Sequence, residues 1–425
     1  MIIPFFPPMG GGGVHRPLSF VRYLPQHGWK TTVVTPEAGA YWISDPTLTE
    51  RIPAACRVIR TRTLSGQSLL TRAGSPGRTR SQTRSSFGFG VARRAASAVL
   101  MPDSYVGWYP FALQAALAAA KAERFDVLYS TSPPETAHLV GLAVQRRTGL
   151  PWLADFRDPW MNLHLLPPPT GLHARLHRSW EARVCTTAHV VTTTRWHEAR
   201  VRAGYPDAHV ARISNGYDGD EARSVASITP ASRPFRIVHA GTLTQRRTAV
   251  PFLEGLAAFL ATRPDARDEI HVEFLGPRED DNERAVARLG LRASVSFRDT
   301  VPHAETLRVE RSAHVLLLIK HADPRYDGLV PGKLYEYIGL RRPVLALVPP
   351  GEARDLVTGL RRGLTANPTA TDEIARAIGE LFDRHRGGTL ESECDLSERP
   401  ELERSRLAGD LAAAFDELCG RRVRA

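Results

Sequence analysis

The sequence predicts an α/β protein built from two doubly wound domains with parallel sheets. From Ile2 to Gly204, short apolar segments of strand length alternate with amphipathic segments of helix length. Alternation of this kind builds parallel sheets that helices cover on both faces. After a polar, irregular stretch the same alternation starts again at Arg236. The 425 residues are enough for two domains of ordinary size.

These patterns divide the chain into four segments. We place an N-terminal domain at 1–215, a linker at 216–234, a second domain at 235–400 and a C-terminal helix and tail at 401–425. We expect the two domains to face a central cleft, because ligands of open α/β sheets bind beyond the carboxyl ends of the strands.

The first half begins with a short strand, Ile2–Phe6, and a helix over Val14–Gln26 with apolar residues spaced for one face. Ser132 and Glu135 predict a capping box at a later helix of this half. The remaining elements predicted here are the strands Lys30–Thr35, Val127–Ser130, Pro151–Asp155 and Val190–Thr194, and the helices Ala112–Ala122, Ala137–Thr148, Leu172–Ala188 and Trp196–Gly204.

The second half repeats the pattern and ends in two helices. The predicted strands are Arg236–Ala240, His271–Leu275, Val295–Phe297, Val315–Ile319 and Pro343–Val348. The predicted helices are Ala249–Ala261, Glu283–Leu289, Ala304–Ser312, one that carries Lys333 and Glu336, Thr371–Arg384 and Glu401–Leu418.

Composition is that of a soluble globular protein, with 42% hydrophobic and 24% charged residues. No apolar run approaches the roughly 20 residues of a membrane span, and no segment resembles a secretory signal. The cysteines are widely separated and lack metal-ligand spacing, so we expect a reduced, cytoplasmic protein; they are Cys56, Cys185, Cys394 and Cys419.

Basic residues are concentrated in one region. The net charge is +11, and the stretch from Arg51 to Pro102 holds ten arginines and no acidic residue. Gly, Ser, Thr and Arg dominate residues 71–90, which predicts a solvated surface insertion at about 60–95. A contact with the inner face of the membrane is the second interpretation. Without a nucleic-acid motif, we expect no nucleic acid as a partner.

The most informative segment is a loop, Val330 to Gly332, that leads into a helix with Lys333 and Glu336. Residues three apart share one face of a helix. A lysine at a helix N-terminus suits a phosphate, and a carboxylate one turn further in suits sugar hydroxyls. This pattern indicates a site for a nucleotide diphosphate. A solvated surface pair is the alternative, and on spacing alone it is favoured.

A glycine run, Gly10–Gly13, lies between the first strand and the first helix. Glycines let the backbone approach a ligand closely and leave its N–H groups available. The run matches neither the dinucleotide-binding fingerprint nor the Walker loop. The run is therefore a candidate for ligand binding, and a flexible turn is the alternative.

The run Asp155-Phe-Arg157-Asp158 places two carboxylates and a guanidinium at a strand end. The aspartates could orient an acceptor hydroxyl, and Arg157 could hold a phosphate or lock an aspartate. A structural Asp–Arg clamp is the alternative, and we favour it for Asp155. Three further residues could line the acceptor side: Trp160, Asn162 and His164.

The first strand of the second half ends at Gly241-Thr242, and Arg246 and Arg247 follow. Arginines here could neutralise the charge that develops on a departing nucleotide diphosphate. Exposed surface arginines are the alternative. Two acidic clusters, at 279–281 and 323–327, lack the ligand pattern of a metal site.

Five motifs, in their order along the chain, resemble those of bacterial glycosyltransferases of family 4 with the GT-B fold. They are the glycine loop, Asp-Phe-Arg-Asp-Pro-Trp, Asn-Gly-Tyr-Asp at 215–218, Gly-Thr…Arg-Arg and Pro-Gly-Lys…Glu. The resemblance covers nearly the whole chain. It implies two Rossmann-like domains and transfer of a sugar, with retention, from a nucleotide diphosphate to a hydroxyl acceptor. The acceptor would be a polysaccharide, lipid-linked or natural-product precursor. The resemblance also implies that the reaction needs no cofactor and no metal.

Carried over by this resemblance, Glu336 binds the ribose and Lys333 a phosphate. Gly328 stands where many relatives have a glutamate, and Arg157 where many have a histidine. These departures keep open an inactive nucleotide-sugar-binding partner protein, and an epimerase on the same fold is a further alternative. We predict catalytic roles for Asp158, Arg157, Arg246 and Lys333, and donor-binding roles for Gly12, Gly13, Gly241, Thr242, Arg247, Gly332 and Glu336.

Overall fold

A computed structural model of the chain describes residues 1–37, 44–64, 100–160, 168–243, 247–323 and 326–420. These residues form two compact units. The first unit runs to Asn215 and includes the segment from Arg404 onward, and the second spans Gly216–Glu403. From residue 65 on, the predicted arginine-rich insertion lies outside the described residues. Within the described part, no helix is long and apolar enough to cross a membrane.

The first unit has a parallel sheet in two parts that Ile2 joins. Ile2 forms a parallel bridge with Val34 on one side and with Ser130 on the other. The predicted strand Ile2–Phe6 is thus a single bridge, since Pro4 cannot donate to the ladder. One part pairs β1 (Thr32–Pro36) with β2 (Arg57–Thr61), and the other has the order β3 (Leu128–Ser132), β4 (Trp152–Phe156), β5 (His189–Thr192) and β6 (Val210–Arg212).

Helices pack on this sheet, and the last helix of the chain is one of them. Leu407, Leu411 and Phe415 of the C-terminal helix, Arg404–Leu418, lie in the same apolar cluster as residues of the first helix. The ring of Phe415 lies 5.1 Å from that of Trp29. The other helices of this unit are α1 (Gly12–Tyr23), α2 (Tyr109–Ala122), α3 (Thr136–Thr148), α4 (Gly171–Thr187) and α5 (Arg195–Gly204).

The second unit has a six-stranded parallel sheet with apolar clusters on both faces. The strands are β7 (Phe235–Ala240), β8 (Ile270–Leu275), β9 (Val295–Arg298), β10 (Val315–Ile319), β11 (Val344–Leu347) and β12 (Gly363–Ala366). The helices are α6 (Gly219–Ser224), α7 (Val250–Thr262), α8 (Asp280–Arg288), α9 (His303–Arg311), α10 (Gly332–Gly339), α11 (Glu352–Gly359) and α12 (Thr371–Arg386).

Residues 216–234, for which the sequence indicated a linker, lie in the second unit. Asp218 caps α6, because its carboxylate accepts the N–H groups of Asp220 and Glu221. Val225 is buried against the sheet. A short capped helix and one buried valine give too weak an apolar period to be recognised in a polar stretch.

The strand order of the second unit, β12-β11-β10-β7-β8-β9, reverses between β7 and β10. The chain first adds β8 and β9 on one side of β7 and then adds β10 to β12 on the other. Such a reversal opens a crevice at the carboxyl ends of the two central strands, where α/β sheets bind ligands. The fold therefore points to the ends of β7 and β10.

Candidate functional site

The helix α10 carries the predicted pair Lys333 and Glu336, and both side chains are in contact. The Lys333 ammonium also donates to Oε1 of Glu310, at 2.8 Å. Glu310 belongs to α9 and its side chain is fully buried, whereas that of Lys333 is 29% exposed. The structure therefore replaces a solvated surface pair with a buried cluster of one ammonium and two carboxyl groups.

The three groups of this cluster set each other's charge. Burial raises the pKa of Glu310, and the charge of Glu336 raises it further, to well above the usual range. Burial alone would also raise the pKa of Glu336, but the charges of Lys333 and His303 and the hydrogen bonds from Glu310 and Lys333 together outweigh burial and hold that pKa below the usual range. The pKa of Lys333 is raised, because the two glutamates outweigh the effect of burial. The shifts favour an ionised Glu336 beside a cationic lysine, and they favour the protonated form of Glu310.

His303, the first residue of α9, extends the cluster. Its Nε2 lies 3.3 Å from the carboxylate of Glu221. Burial lowers the pKa of His303, but the hydrogen bond to Glu221 and the charge of Glu336 outweigh burial and raise it overall. A second charged pair therefore lies next to the first.

At the switch point, the buried His239 joins the two central strands. Its Nδ1 lies 2.9 Å from the carbonyl oxygen of Leu317, and since a carbonyl only accepts, Nδ1 carries the hydrogen. Burial lowers the pKa of His239 to about 4, so the ring is neutral at pH 7. Its buried Nε2 has no hydrogen-bond partner among the described residues. A buried acceptor nitrogen is therefore available at the end of β7.

The loop after β7 begins with Gly241 and Thr242, two predicted donor-binding residues. Gly241 has a φ of 146°, which a side chain would strain. Arg247 donates from Nη2 to the Thr242 carbonyl, and its Nε has no partner among the described residues. Burial lowers the pKa of Arg247 below its ordinary value. Arg246, the other predicted arginine, lies outside the described residues.

Arg157 of the first unit does not contact Asp155 through a hydrogen bond. Its Nε donates to the carbonyl of Ser132 at 3.0 Å and its Nη1 to the carbonyl of Gly13 at 2.6 Å, and Nη2 donates to the Pro133 carbonyl. Arg157 thus ties the end of β3 to the glycine loop. Within the described part of the chain, two of its five N–H groups have no acceptor and can serve another one.

The Asp–Arg clamp exists, but its arginine is Arg16. The guanidinium of Arg16 donates to both oxygens of Asp155, at 2.8 and 3.1 Å. Tyr129 and Thr131 donate to the same carboxylate. Burial raises the pKa of Asp155, but Arg16 outweighs it and lowers that pKa overall. All these groups are buried, which supports the structural interpretation of Asp155.

Gly12 and Gly13 form the first turn of α1, whose N-cap is Gly11. A Cβ on Gly13 would lie 2.7 Å from the ring of Phe5, whereas one on Gly12 would meet nothing within 4 Å. Only Gly13 is therefore required for close packing. The first N–H groups of a helix lack intrahelical acceptors, and those of this turn can serve an anion.

A carboxyl cluster near the end of β3 was not recognised from the sequence. Asp103 accepts the N–H of Thr136 at 2.7 Å and so caps α3. The predicted capping box is absent, because Ser132 Oγ has no partner among the described residues. Burial and the charge of Asp103 raise the pKa of Glu135 well above its ordinary value, with a further contribution from Asp158. No local sequence signal links Asp103 to a helix 33 positions later.

Trp160 belongs to the apolar core of the first unit. Its indole Nε1 donates to His177 Nδ1 at 3.1 Å. The other two residues predicted on the acceptor side, Asn162 and His164, lie outside the described residues.

The N-terminal part of the chain matches a known protein family. Residues 11–216 match the glycosyl transferase 4-like domain. No curated protein sequence matches significantly. The predicted resemblance to family 4-like glycosyltransferases is therefore confirmed for the N-terminal domain.

Solved structures agree over almost the full length. The sucrose-phosphate synthase from Thermosynechococcus elongatus is 16% identical with a TM-score of 0.66, and 99% of each chain is covered. HepE of Anabaena in complex with UDP is 13% identical with a TM-score of 0.63, over 98% of this chain and 99% of HepE. WaaG, a glycosyltransferase involved in lipopolysaccharide biosynthesis, is 15% identical with a TM-score of 0.57, over 99% of each chain. The predicted GT-B fold is thereby confirmed.

Proposed function

Because its N-terminal domain is a glycosyl transferase 4-like domain and its fold is GT-B, we propose that this glycosyltransferase moves a sugar from a nucleoside diphosphate to a hydroxyl acceptor. One observation carries the proposal: the carboxyl group of Glu336 is held by Lys333 at the start of α10. The charge of Lys333 also lowers the pKa of Glu336, which favours the ionised form. Structures of the similar HepE with UDP and with UDP-glucose support a donor of this class.

In the proposed donor site, the carboxylate of Glu336 accepts hydrogen bonds from the ribose hydroxyls. Lys333 has three N–H donors, and its two carboxyl partners leave one for a phosphate oxygen. The N–H of Gly332, in the first turn of α10, is a second hydrogen-bond donor to a phosphate oxygen. An ionised carboxylate and these donors match the two ends of a ribose diphosphate.

We propose that groups of the loop after β7 bind the negatively charged diphosphate. The charges of Arg247 and Lys333 both lower the pKa of His239, so both side chains lie near the end of β7. The Nε of Arg247, which has no partner among the described residues, and the backbone of Gly241 and Thr242 would face the phosphates. Arg246, outside the described residues, stays a predicted catalytic residue. Because these groups supply positive charge where it develops on the leaving group, we propose a reaction that needs no metal.

The proposed step exchanges one bond for another at the anomeric carbon. The bond from this carbon to the phosphate oxygen breaks, and the electron pair leaves with the nucleoside diphosphate. The acceptor oxygen forms the new bond on the same face, so the configuration is retained. The acceptor's proton passes to the departing phosphate oxygen. No oxidant, reductant or second cofactor is required.

On the first unit, we propose that Asp158 and the neighbouring Glu135 bind acceptor hydroxyls. Burial and the charge of Asp103 raise the pKa of Glu135 and so favour its protonated form, which can donate where Asp158 accepts. Arg157 has two N–H groups left for an anionic acceptor group. A polysaccharide, a lipid-linked precursor or a natural-product precursor has such hydroxyls, and a lipid-linked acceptor would require contact with the membrane surface.

A second candidate function is a nucleotide-sugar-binding protein without transfer activity. It is favoured by Gly328, which is buried and stands where many relatives have a glutamate, and by Arg157, whose guanidinium is held by backbone carbonyls. A protein of this kind would bind the donor through Glu336 and leave it intact.

Release of nucleoside diphosphate from UDP-, GDP-, ADP- and dTDP-sugars tests the proposal. We expect slow release from one donor in the presence of EDTA, and loss of that release in Glu336→Gln. Binding of a donor without release by the wild type would favour the inactive protein. No binding of any donor would contradict both functions.

A further inference from the structure

We propose that Glu310 is a positioning residue of the donor site: it holds a proton at neutral pH and, with Lys333, fixes the carboxylate of Glu336. This inference rests on the proposed function, because Glu336 is taken as the ribose ligand. Glu310 itself does not touch the donor.

The geometry of the three side chains is the first step. Glu310 is fully buried on α9 and its Oε1 accepts the Lys333 ammonium at 2.8 Å. The same ammonium contacts Glu336 from the first turn of α10. Oε2 of Glu310 is buried and no N–H or O–H group of the described residues donates to it. A buried carboxylate oxygen without a donor costs free energy, and the cost is lower for the neutral, protonated carboxyl group than for the charged one.

The second step is the balance of charge. Two ionised carboxylates beside one ammonium would leave an uncompensated negative charge in a buried place, which is unfavourable. One proton on one carboxyl group makes the three groups neutral as a whole. Glu310 is the more buried of the two, with 0% exposure of its side chain against 17% for Glu336. The proton therefore belongs on Glu310, in agreement with the opposite shifts of the two pKa values.

The surrounding charges do not change this assignment. His303 and Glu221 form their own pair at 3.3 Å, so the positive charge of a protonated imidazole is compensated by that carboxylate. Tyr337, on the same helix as Glu336, keeps its hydrogen because burial raises its pKa. Arg247 and His239 lie toward the end of β7, and His239 is neutral.

The consequence is a fixed acceptor. A hydrogen bond between the two carboxyl groups contributes to the shift of both pKa values, raising that of Glu310 and lowering that of Glu336, so a proton on Glu310 is placed to be donated to Glu336. With Lys333 and Glu310 both donating, the Glu336 carboxylate has a defined orientation before the ligand arrives. Preorganisation of this kind lowers the cost of binding. Lys333 then positions Glu336 and is also a candidate for binding a phosphate oxygen of the nucleotide.

Two substitutions at Glu310 separate the protonated from the ionised state. Glu310→Gln keeps an N–H donor for Glu336 and an oxygen for Lys333, so it imitates the protonated acid. Glu310→Met keeps the volume and removes both interactions. The matched control on the same helix is Glu305→Met, because the Glu305 side chain is 45% exposed and its ion-pair partner among the described residues is Arg298.

The measurement is the dissociation constant of the nucleoside diphosphate that binds the wild type, by calorimetry at pH 7. We expect Glu310→Gln to stay within about twofold, and Glu310→Met to bind about tenfold or more weakly, as loss of buried hydrogen bonds predicts. Glu305→Met should bind like the wild type. Circular dichroism and the melting temperature of each variant show whether it is folded.

Each result decides one claim. If Glu310→Gln weakens binding as much as Glu310→Met, Glu310 acts as a charged carboxylate and the inference is overturned. If a folded Glu310→Met binds like the wild type, Glu310 positions nothing. If Glu310→Met does not fold, Glu310→Gln alone decides. Glutamine can replace a protonated glutamic acid without loss of binding, but it cannot replace an ionised carboxylate. Failure of the wild type to bind any nucleotide would instead overturn the proposed function.

Discussion

The ammonium of Lys333 lies 2.8 Å from the buried carboxyl group of Glu310, although the two residues are 23 positions apart. This contact gives Lys333 a second carboxyl partner besides Glu336. An isolated surface pair of this spacing contributes little to stability and needs no function. A buried cluster in which one oxygen has no partner among the described residues costs free energy of folding, because charged and polar groups are removed from water. This cluster lies at the part of the sheet where ligands bind.

Arg247→Ala is expected to lower kcat more than it weakens donor binding, because the charge that Arg247 meets grows as the diphosphate departs. We expect a loss in kcat of about tenfold or more, and a change in the donor dissociation constant below about threefold. Steady-state release of nucleoside diphosphate and calorimetry give the two numbers.

The exposed Arg278→Ala of the same unit is the control, and it should change neither number. An equal loss in binding and turnover would mean that Arg247 binds the ground state only. Unchanged turnover would remove it from the mechanism.

Arg16→Met should strongly destabilise the first unit, because it leaves Asp155 as a buried carboxylate without its cation. Breaking a buried pair on one side costs about 3–5 kcal/mol. Urea unfolding followed by tryptophan fluorescence measures the effect on the free energy of unfolding. Arg57→Met breaks the exposed pair with Glu123 and should cost at most about 1 kcal/mol. Similar effects in the two variants would refute the clamp.

Gly13→Ala and Gly12→Ala form a matched pair in one helical turn. A methyl group at Gly13 meets the ring of Phe5, and we expect a loss of about 1–3 kcal/mol in the free energy of unfolding. At Gly12 the space is open and alanine favours the helix, so we expect no loss or a gain of up to about 1 kcal/mol. Thermal unfolding compares the two. Equal effects would contradict the packing of the glycine loop.

Acid should weaken the first unit through His138. Burial lowers the pKa of this histidine from 6.5 to about 3. Between these values the unfolded chain binds a proton that the folded chain does not. The stability is therefore full above pH 6.5 and is lost progressively as the pH falls toward 3, by about 1.4 kcal/mol per pH unit.

The variant His138→Phe has no imidazole to protonate at this position. Urea unfolding should therefore show that it lacks the part of the pH dependence of stability that His138 contributes. Its deficit in stability relative to the wild type should shrink by about 2 kcal/mol between pH 6.5 and pH 5. A deficit of His138→Phe that does not change with pH would show that His138 titrates in the folded protein as it does in the unfolded chain.

Most of the fold follows from the apolar period. The segment Val315–Ile319 is five buried aliphatic residues and was predicted to the residue. The strands Val210–Arg212 and Gly363–Ala366 were not predicted, because they are short, lie at sheet edges and are only partly buried. Their assignment depends on a neighbour that supplies the ladder, which a local pattern does not contain.

The candidate site could be predicted only in part. The sequence identified Lys333 and Glu336, because their spacing on one helix is a local property. It missed Glu310, which stands among arginines in a polar helix and is buried only because α9 packs beside α10. It also gave Asp155 the wrong arginine as its candidate partner, since Arg16 is 139 positions away and only the sheet brings the two together.

The most direct test of the account measures the contact between Glu336 and the ribose. Calorimetry compares the nucleoside diphosphate that binds with its 2′,3′-dideoxy form, in the wild type and in Glu336→Ala. We predict that removal of the hydroxyls weakens binding to the wild type by about tenfold and leaves the affinity of Glu336→Ala nearly unchanged, because the two changes remove the same hydrogen bonds. An equal loss in both proteins would contradict the ribose assignment and, with it, the donor site on α10.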